Sequence, residues 1–314
     1  MHVERVEAPR GAKLRLAPRV LATFTAAVVA LAAVPATAAT LDRIRETGSI
    51  RFGYLVDASP LSFRNDAGKP DGYAVALCGH VADQIKAQFA PGLRVEWVPV
   101  RGEDRVASVQ QGSIDLLCTP MSVTLDRRQE VSFSIPVFAG GNRAVLRADA
   151  PTPLLNALSE SPDTRKVVWR GSPAVKVLKG TSIAVVSGTT SEKWLAERRD
   201  ALQVDAKIVP VADHRTGIQQ LRDGDVDVFF ADRSIALGAI PAAERRDFVL
   251  LDRQFTHESL ALAMARSDDD FRLAVDRALS RLYASDEFGE LYKQWYGEFG
   301  EKTRTYFAEH AYAD

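Results

Sequence analysis

Short apolar runs alternate with segments of helical period in two successive series, and this alternation constrains the chain most tightly. In the first series, residues 50–55, 93–98 and 113–118 read as strands, after a short helix at 41–45 that stops at Gly48. A helix opening at Gly72 lies among them, with Val75, Cys78, Val81, Ile85 and Phe89 on one face. A second helix covers 104–111 and stops at Gly112. The next series begins with a strand at 182–186, followed by a helix to about Leu202 and a strand at 207–211. Asp213 caps a helix that stops at Gly224, and a strand at 226–231 reaches Asp232. Segment 248–255 is expected to return toward the first series with 259–265 as its partner strand, before two amphipathic helices at 271–283 and 288–296. Strands alternating with helices imply mostly parallel sheets covered on both faces, so the fold class is α/β. Residues 56–71, with Pro60, Gly68 and Pro70, read as a polar loop, and the tail through Asp314 as charged and loosely packed.

Three stretches could carry chemistry. The first is Thr119-Pro120-Met121-Ser122-Val123-Thr124-Leu125-Asp126-Arg127, running on to Phe133-Ser134-Ile135-Pro136. An Arg held just past a strand end can clamp a carboxylate through two parallel, charge-assisted hydrogen bonds, which a Lys cannot do. The small hydroxyls of Thr119, Ser122 and Thr124 can add neutral donors. Alone, such an Arg is more often simply solvated. The second stretch, Ser187-Gly188-Thr189-Thr190, sits where a strand meets a helix, and the free N–H groups there suit an anion or an ordinary cap. The third is Asp232, which ends the apolar run that holds Phe229 and Phe230. It suits an ammonium group, or it caps a helix at 234–237.

The pattern Ser122-x-Thr124-x-x-Arg127, followed by Phe133-Ser134-x-Pro136, resembles the signature region of the family 3 periplasmic solute-binding proteins, the polar-amino-acid receptors of ABC importers. The likeness extends from about residue 41 to 297. It implies a two-lobe, type II periplasmic-binding-protein fold, each lobe a mostly parallel sheet flanked by helices, joined by two crossover strands. Lobe 1 is then 39–142 and 256–314, and lobe 2 is 143–255. One crossover is the extended run 137–147, interrupted by Gly140-Gly141. The proline-broken segment at about 149–179 becomes a partly ordered insertion on lobe 2. The resemblance also implies that Arg127 and Thr190 or Thr189 hold a ligand carboxylate from opposite lobes, while Asp232 receives the α-amino group.

The nearest members are the glutamate/aspartate-binding ones, through Val98-Pro99-Val100-x-x-x-x-Arg105, Ser187-Gly188-Thr189-Thr190-Ser191-Glu192 and Asp213-His214. Residues matching Arg105 and His214 lie near the ligand in those members. This chain departs from them at Leu55, where they place an arginine. It departs from the basic-amino-acid binders at Ala58 and Ser59, which precede Pro60 without an aromatic. Alanines 74 and 76 also stand where the family usually has an acid. A polar or acidic amino acid is therefore favoured over a bulky apolar one.

The remaining composition fits export. Arg10, Lys13, Arg15 and Arg19 precede an apolar run at 20–34 that ends in Ala36-Thr37-Ala38, a small-x-small pattern, so 1–38 reads as a signal peptide and the mature protein as periplasmic. Its removal leaves 276 of 314 residues, with 35 basic against 39 acidic groups, a mildly acidic balance without a basic block for nucleic acid. Two cysteines, Cys78 and Cys118, favour one disulfide in an oxidising compartment, the alternative being two buried thiols. Neither a metal nor a cofactor is implied. The expected partners are an amino-acid ligand and a membrane permease, with the protein a monomer. Two other classes compete. The scaffold also resembles periplasmic cyclohexadienyl dehydratases, although Gly-x-Ser-x-Gly and His-Glu-x-x-His are both missing and His257-Glu258 lacks a second His. A soluble sensor module is the third class.

Overall fold

The computed structural model describes residues 40–159 and 173–313; the expected leader and the middle of the 149–179 insertion lie outside the described residues. Strand β1 (Ser49–Tyr54) is followed by three short strands, β2 (Asp57–Ala58), β3 (Ser62–Arg64) and β4 (Pro70–Asp71), which form a small antiparallel sheet. Segment 56–71 is thus not the plain loop expected from its sequence. Strands of two or three residues are too short to show a side-chain period. Strands β5 (Arg94–Pro99), β6 (Leu116–Ser122) and β7 (Ser132–Gly140) complete the first half of the chain. The second half supplies β8 (Asn142–Arg147), β9 (Ser182–Val186), β10 (Lys207–Val211), β11 (Val228–Asp232), β12 (Phe248–Leu250) and β13 (Glu258–Met264).

Two five-stranded sheets result, ordered β5-β1-β6-β13-β7 and β10-β9-β11-β8-β12. In the first, β1 runs parallel to β5 and β6, while β13 runs antiparallel to both β6 and β7. In the second, β9 is parallel to β10 and β11, and β8 is antiparallel to β11 and β12. The strands at 248–255 and 259–265 are therefore not partners: β12 pairs with β8 in one sheet and β13 joins the other. Both runs are short and apolar, and apolarity alone does not identify the partner.

The two sheets are the two lobes, and the chain passes between them twice. The outward passage is at Gly141, between β7 and β8, and the return is the segment between β12 and β13. The passages are tied together. The Asn142 amide donates to Thr256 Oγ1 at 3.0 Å, the Phe255 amide to the Asn142 carbonyl at 2.9 Å, and Gln254 Nε2 to the Gly140 carbonyl at 3.2 Å. Side chains have no room here. A Cβ on Gly141 would stand 2.2 Å from the Thr256 carbonyl oxygen, and one on Gly140 2.1 Å from Leu260 Cδ1. The glycine pair is what lets the two passages run against each other.

Helix Tyr73–Gln88 packs its apolar face on the first sheet, with Tyr73, Leu77, Cys78 and Val81 fully buried. Gly72 starts it at φ 127°, and a Cβ there would meet the Leu61 carbonyl at 2.6 Å. Tyr73 is a packing residue whose hydroxyl donates to the Val137 carbonyl at 2.9 Å. Cys78 and Cys118 are joined, helix to strand, across 40 residues. Loop closure on that scale stabilises the fold by about 4 kcal/mol in the chain-entropy account. The described parts of the insertion include helices Thr152–Ser159 and Pro173–Leu178. The tail is not loose. Helix Glu301–His310 buries Phe307 with its ring centre 4.6 Å from that of Phe288 and 4.9 Å from that of Tyr283. One aromatic in a charged segment is enough to seat it when the receiving surface is already aromatic.

Candidate functional site

The signature stretch is partly strand. β6 continues through Ser122, four residues beyond the end expected at Cys118, and all seven of its residues are buried. Thr119 faces inward, where its hydroxyl accepts the Leu55 amide at 3.1 Å, so it does not line the cleft. Thr124 caps the short helix Leu125–Arg128 by accepting the Arg127 amide at 3.2 Å, which gives its side chain a structural task. Arg127 then reaches back, and its Nη1 donates to the Ser122 carbonyl at 2.9 Å. That bond fixes the guanidinium at the cleft and, among the described residues, leaves the rest of its donor fork open to an anion. Burial pushes the Arg127 pKa down, and the nearby Glu258 charge works against that push.

Lobe 2 contributes from the ends of β9 and β11. Thr189 is the N-cap of helix Thr190–Leu202, accepting the Glu192 amide at 3.3 Å and donating to the Val186 carbonyl at 2.7 Å. Glu192 adds a bond back across the cap by accepting the Gly188 amide at 2.8 Å. The ordinary-cap reading therefore describes Thr189. Thr190, one residue on, turns its hydroxyl into the cleft, 3.3 Å from Ser122 Oγ of the other lobe. Asp232 is both a cap and a cleft residue. Its Oδ1 accepts the Ser234 amide at 2.8 Å and hydroxyl at 2.6 Å, and its Oδ2 accepts the Gly141 amide at 2.9 Å. These donors fix the carboxylate in place.

Arg105 and His214 line the same cleft, near enough for the Arg105 charge to act on the imidazole. Among the described residues Arg105 is anchored by one bond, Nε to the Gly102 carbonyl at 2.6 Å. Burial brings its pKa down to about 10, and repulsion from Arg127 adds to this, with Asp57 opposing. His214 sits edge-on to Phe229, ring centres 6.3 Å apart. Burial, and then the Arg105 charge, push its pKa down to about 4, so the imidazole is neutral near pH 7. A histidine whose folded pKa lies below the unfolded value of about 6.5 contributes stability above that value and loses it as pH falls toward the folded pKa. His214→Gln is therefore expected to lose less melting temperature than the wild type between pH 7 and pH 4.5. Calorimetric melts of the two proteins would check this, and parallel curves would rule it out.

The cleft thus holds two guanidinium groups, one neutral imidazole and two carboxylates, in a space of about 600 Å³ that includes its open mouth. Ser122, Arg105 and Arg127 face Thr190, His214 and Asp232 across it. At the rim, Lys193 of lobe 2 pairs with Asp126 of lobe 1 at 2.9 Å, an exposed contact that salt weakens. The second carboxylate, Glu258, did not emerge from sequence reasoning as a site residue. The available signal was an acid at the first position of an apolar strand, directly after the expected lobe junction.

Two lobes, each an α/β sheet, with a polar cleft between them and two crossings beside it, define a solute-binding protein. Residues 50–298 match the model of the bacterial extracellular solute-binding proteins, family 3, and the chain belongs to that family. It is 28% identical over 290 residues to the L-glutamate/L-aspartate-binding protein of Pseudomonas aeruginosa, covering 90% of this chain and 89% of that one. It is 23% identical over 264 residues to the glutamate/aspartate import solute-binding protein of Salmonella typhimurium, covering 83% and 81%. Among solved structures, an ancestral amino-acid-binding protein described as a precursor of cyclohexadienyl dehydratase has the same fold. Its TM-score is 0.64 at 24% identity, over 82% of this chain and all of that one.

Proposed function

We propose that the chain is the periplasmic binding component of an ABC importer, which takes up a free amino acid as a monomer and delivers it to a membrane permease. The solute lies between the lobes, with its α-carboxylate on Arg127, Ser122 and Thr190 and its α-ammonium on Asp232. Its side chain points to Arg105 and His214, and an acidic one is preferred. The observation that carries this reading is the pair of guanidinium groups, Arg105 and Arg127, at one cleft and both weakened by burial. Two half-buried cations that repel each other are costly, and a dicarboxylate relieves both. The relatives named for glutamate and aspartate support the same ligand class. Lobes 39–142 with 256–314, and 143–255, close about the two crossings, because a bound solute contacts both.

A thermal-shift screen against the common amino acids tests the reading. A solute at 100 times its Kd stabilises the folded state by about 2.7 kcal/mol, which is about 5–10 °C in a protein of this size. L-Glutamate or L-aspartate is expected to give the largest shift. A flat response to every amino acid, or turnover of prephenate or arogenate by the purified protein, would sink it.

A further inference from the structure

Glu258 opens β13, at the point where the chain re-enters the first lobe, and its carboxylate is held on both sides. Oε1 accepts from Asn142 Nδ2 at 3.0 Å and from Thr256 Oγ1 at 2.9 Å. Oε2 accepts from Thr190 Oγ1 at 3.0 Å and from the Ser122 hydroxyl. The support is itself braced, since Thr256 Oγ1 receives Asn142 Nδ2 at 2.9 Å and Asn142 Oδ1 receives the Ser191 hydroxyl at 2.7 Å. One oxygen is therefore anchored at the crossings, and the other bridges a lobe 1 hydroxyl to a lobe 2 hydroxyl.

A hydroxyl carries a single proton to donate. While the Ser122 and Thr190 protons point at Glu258, neither can serve a second anion. The Arg127 guanidinium is anchored on the carbonyl of the same Ser122 and feels the Glu258 charge. A solute carboxylate reaching Arg127 thus meets an acid that already holds its two hydroxyl partners.

We propose that Glu258 is a specificity-determining residue: it occupies the hydroxyl donors on both lobes, so a solute is admitted only by bringing a carboxylate that displaces it. This rests on the carboxylate-receiving role given above to Ser122, Thr190 and Arg127. Glu258 also clasps the lobes together when no solute is present, and binding exchanges an internal bridge for an external one. A solute's apparent affinity is lowered by the fraction of protein in the clasped form. The amine or amide analogue of an amino acid, without the carboxylate, cannot make the exchange.

The test uses the mature chain and the neutral isostere Glu258→Gln. Calorimetric titration with L-glutamate and L-aspartate is expected to show binding about tenfold tighter than in the wild type, equivalent to about 1.4 kcal/mol. Unchanged or weaker binding in the variant overturns the proposal, because Glu258 then orients the hydroxyls or receives the solute's ammonium. Small-angle scattering without added solute gives an arm that needs no ligand. The variant, and Thr190→Val as a second way of opening the clasp, are expected to have a larger radius of gyration than the wild type. Equal radii overturn the clasp. If the wild type binds no amino acid while the radii differ, the functional reading has failed and the clasp stands.

Discussion

Arg127→Ala is expected to weaken amino-acid binding by at least about 100-fold, or about 2.7 kcal/mol, while the protein still unfolds cooperatively. The guanidinium is fixed by its bond to the Ser122 carbonyl, so it offers an already oriented fork to a carboxylate. Hydrogen bonds to charged groups contribute about 1.5–3 kcal/mol each, and a clamp of two exceeds the stated loss even after desolvation is discounted. Folding should tolerate the change, because Arg127 lies on a four-residue helix with no buried residue and its charge is already disfavoured by burial. Arg127→Lys keeps the charge without the fork and should fall between the two. Titration calorimetry beside a thermal melt separates these effects. Binding kept within about fivefold in the alanine variant would mean that the carboxylate sits elsewhere.

The sequence was most readable where local chemistry and tertiary structure agree. Strand Lys207–Val211, the Asp213 cap and the Gly224 stop are all local signals, and the structure has each of them where the pattern puts it. The helix–strand disulfide was legible because a chain with two cysteines, read as exported, has few alternatives. Pairing was not legible. β12 and β13 are both apolar and neighbours in sequence, yet they belong to different lobes, and nothing within either strand says so.

The site divides along the same line. Ser122, Thr190, Asp232, Arg105 and His214 line one cleft and could be named from motif resemblance. The resemblance was too coarse to separate Thr190 from Thr189 or Ser122 from Thr119. In each pair only one hydroxyl is free of backbone duty, a matter of side-chain direction that no spacing records. Glu258 was hidden for a different reason. Its importance comes from Ser122, Asn142 and Thr190, donors on three segments distant in sequence, and these meet at Glu258 only when the chain crosses between lobes twice.

Selectivity should turn on Arg105. Among the described residues its side chain is anchored through Nε and lies near a histidine that stays neutral, so its remaining donors carry the positive charge on that side chain. Its charge is disfavoured by burial and by Arg127, and a second carboxylate on the solute would reverse both effects. Arg105→Gln keeps a polar side chain but removes the charge. It is expected to weaken L-glutamate binding by about 100-fold, or about 2.7 kcal/mol, while L-glutamine binding changes by less than about fivefold. The preference between the two would then narrow or invert, because an unpaired side-chain carboxylate must give up its hydration in the variant. Competition titrations with both amino acids measure the ratio directly. A variant that kept its glutamate affinity would move the side-chain pocket away from Arg105, leaving the Arg127 end of the cleft unaffected.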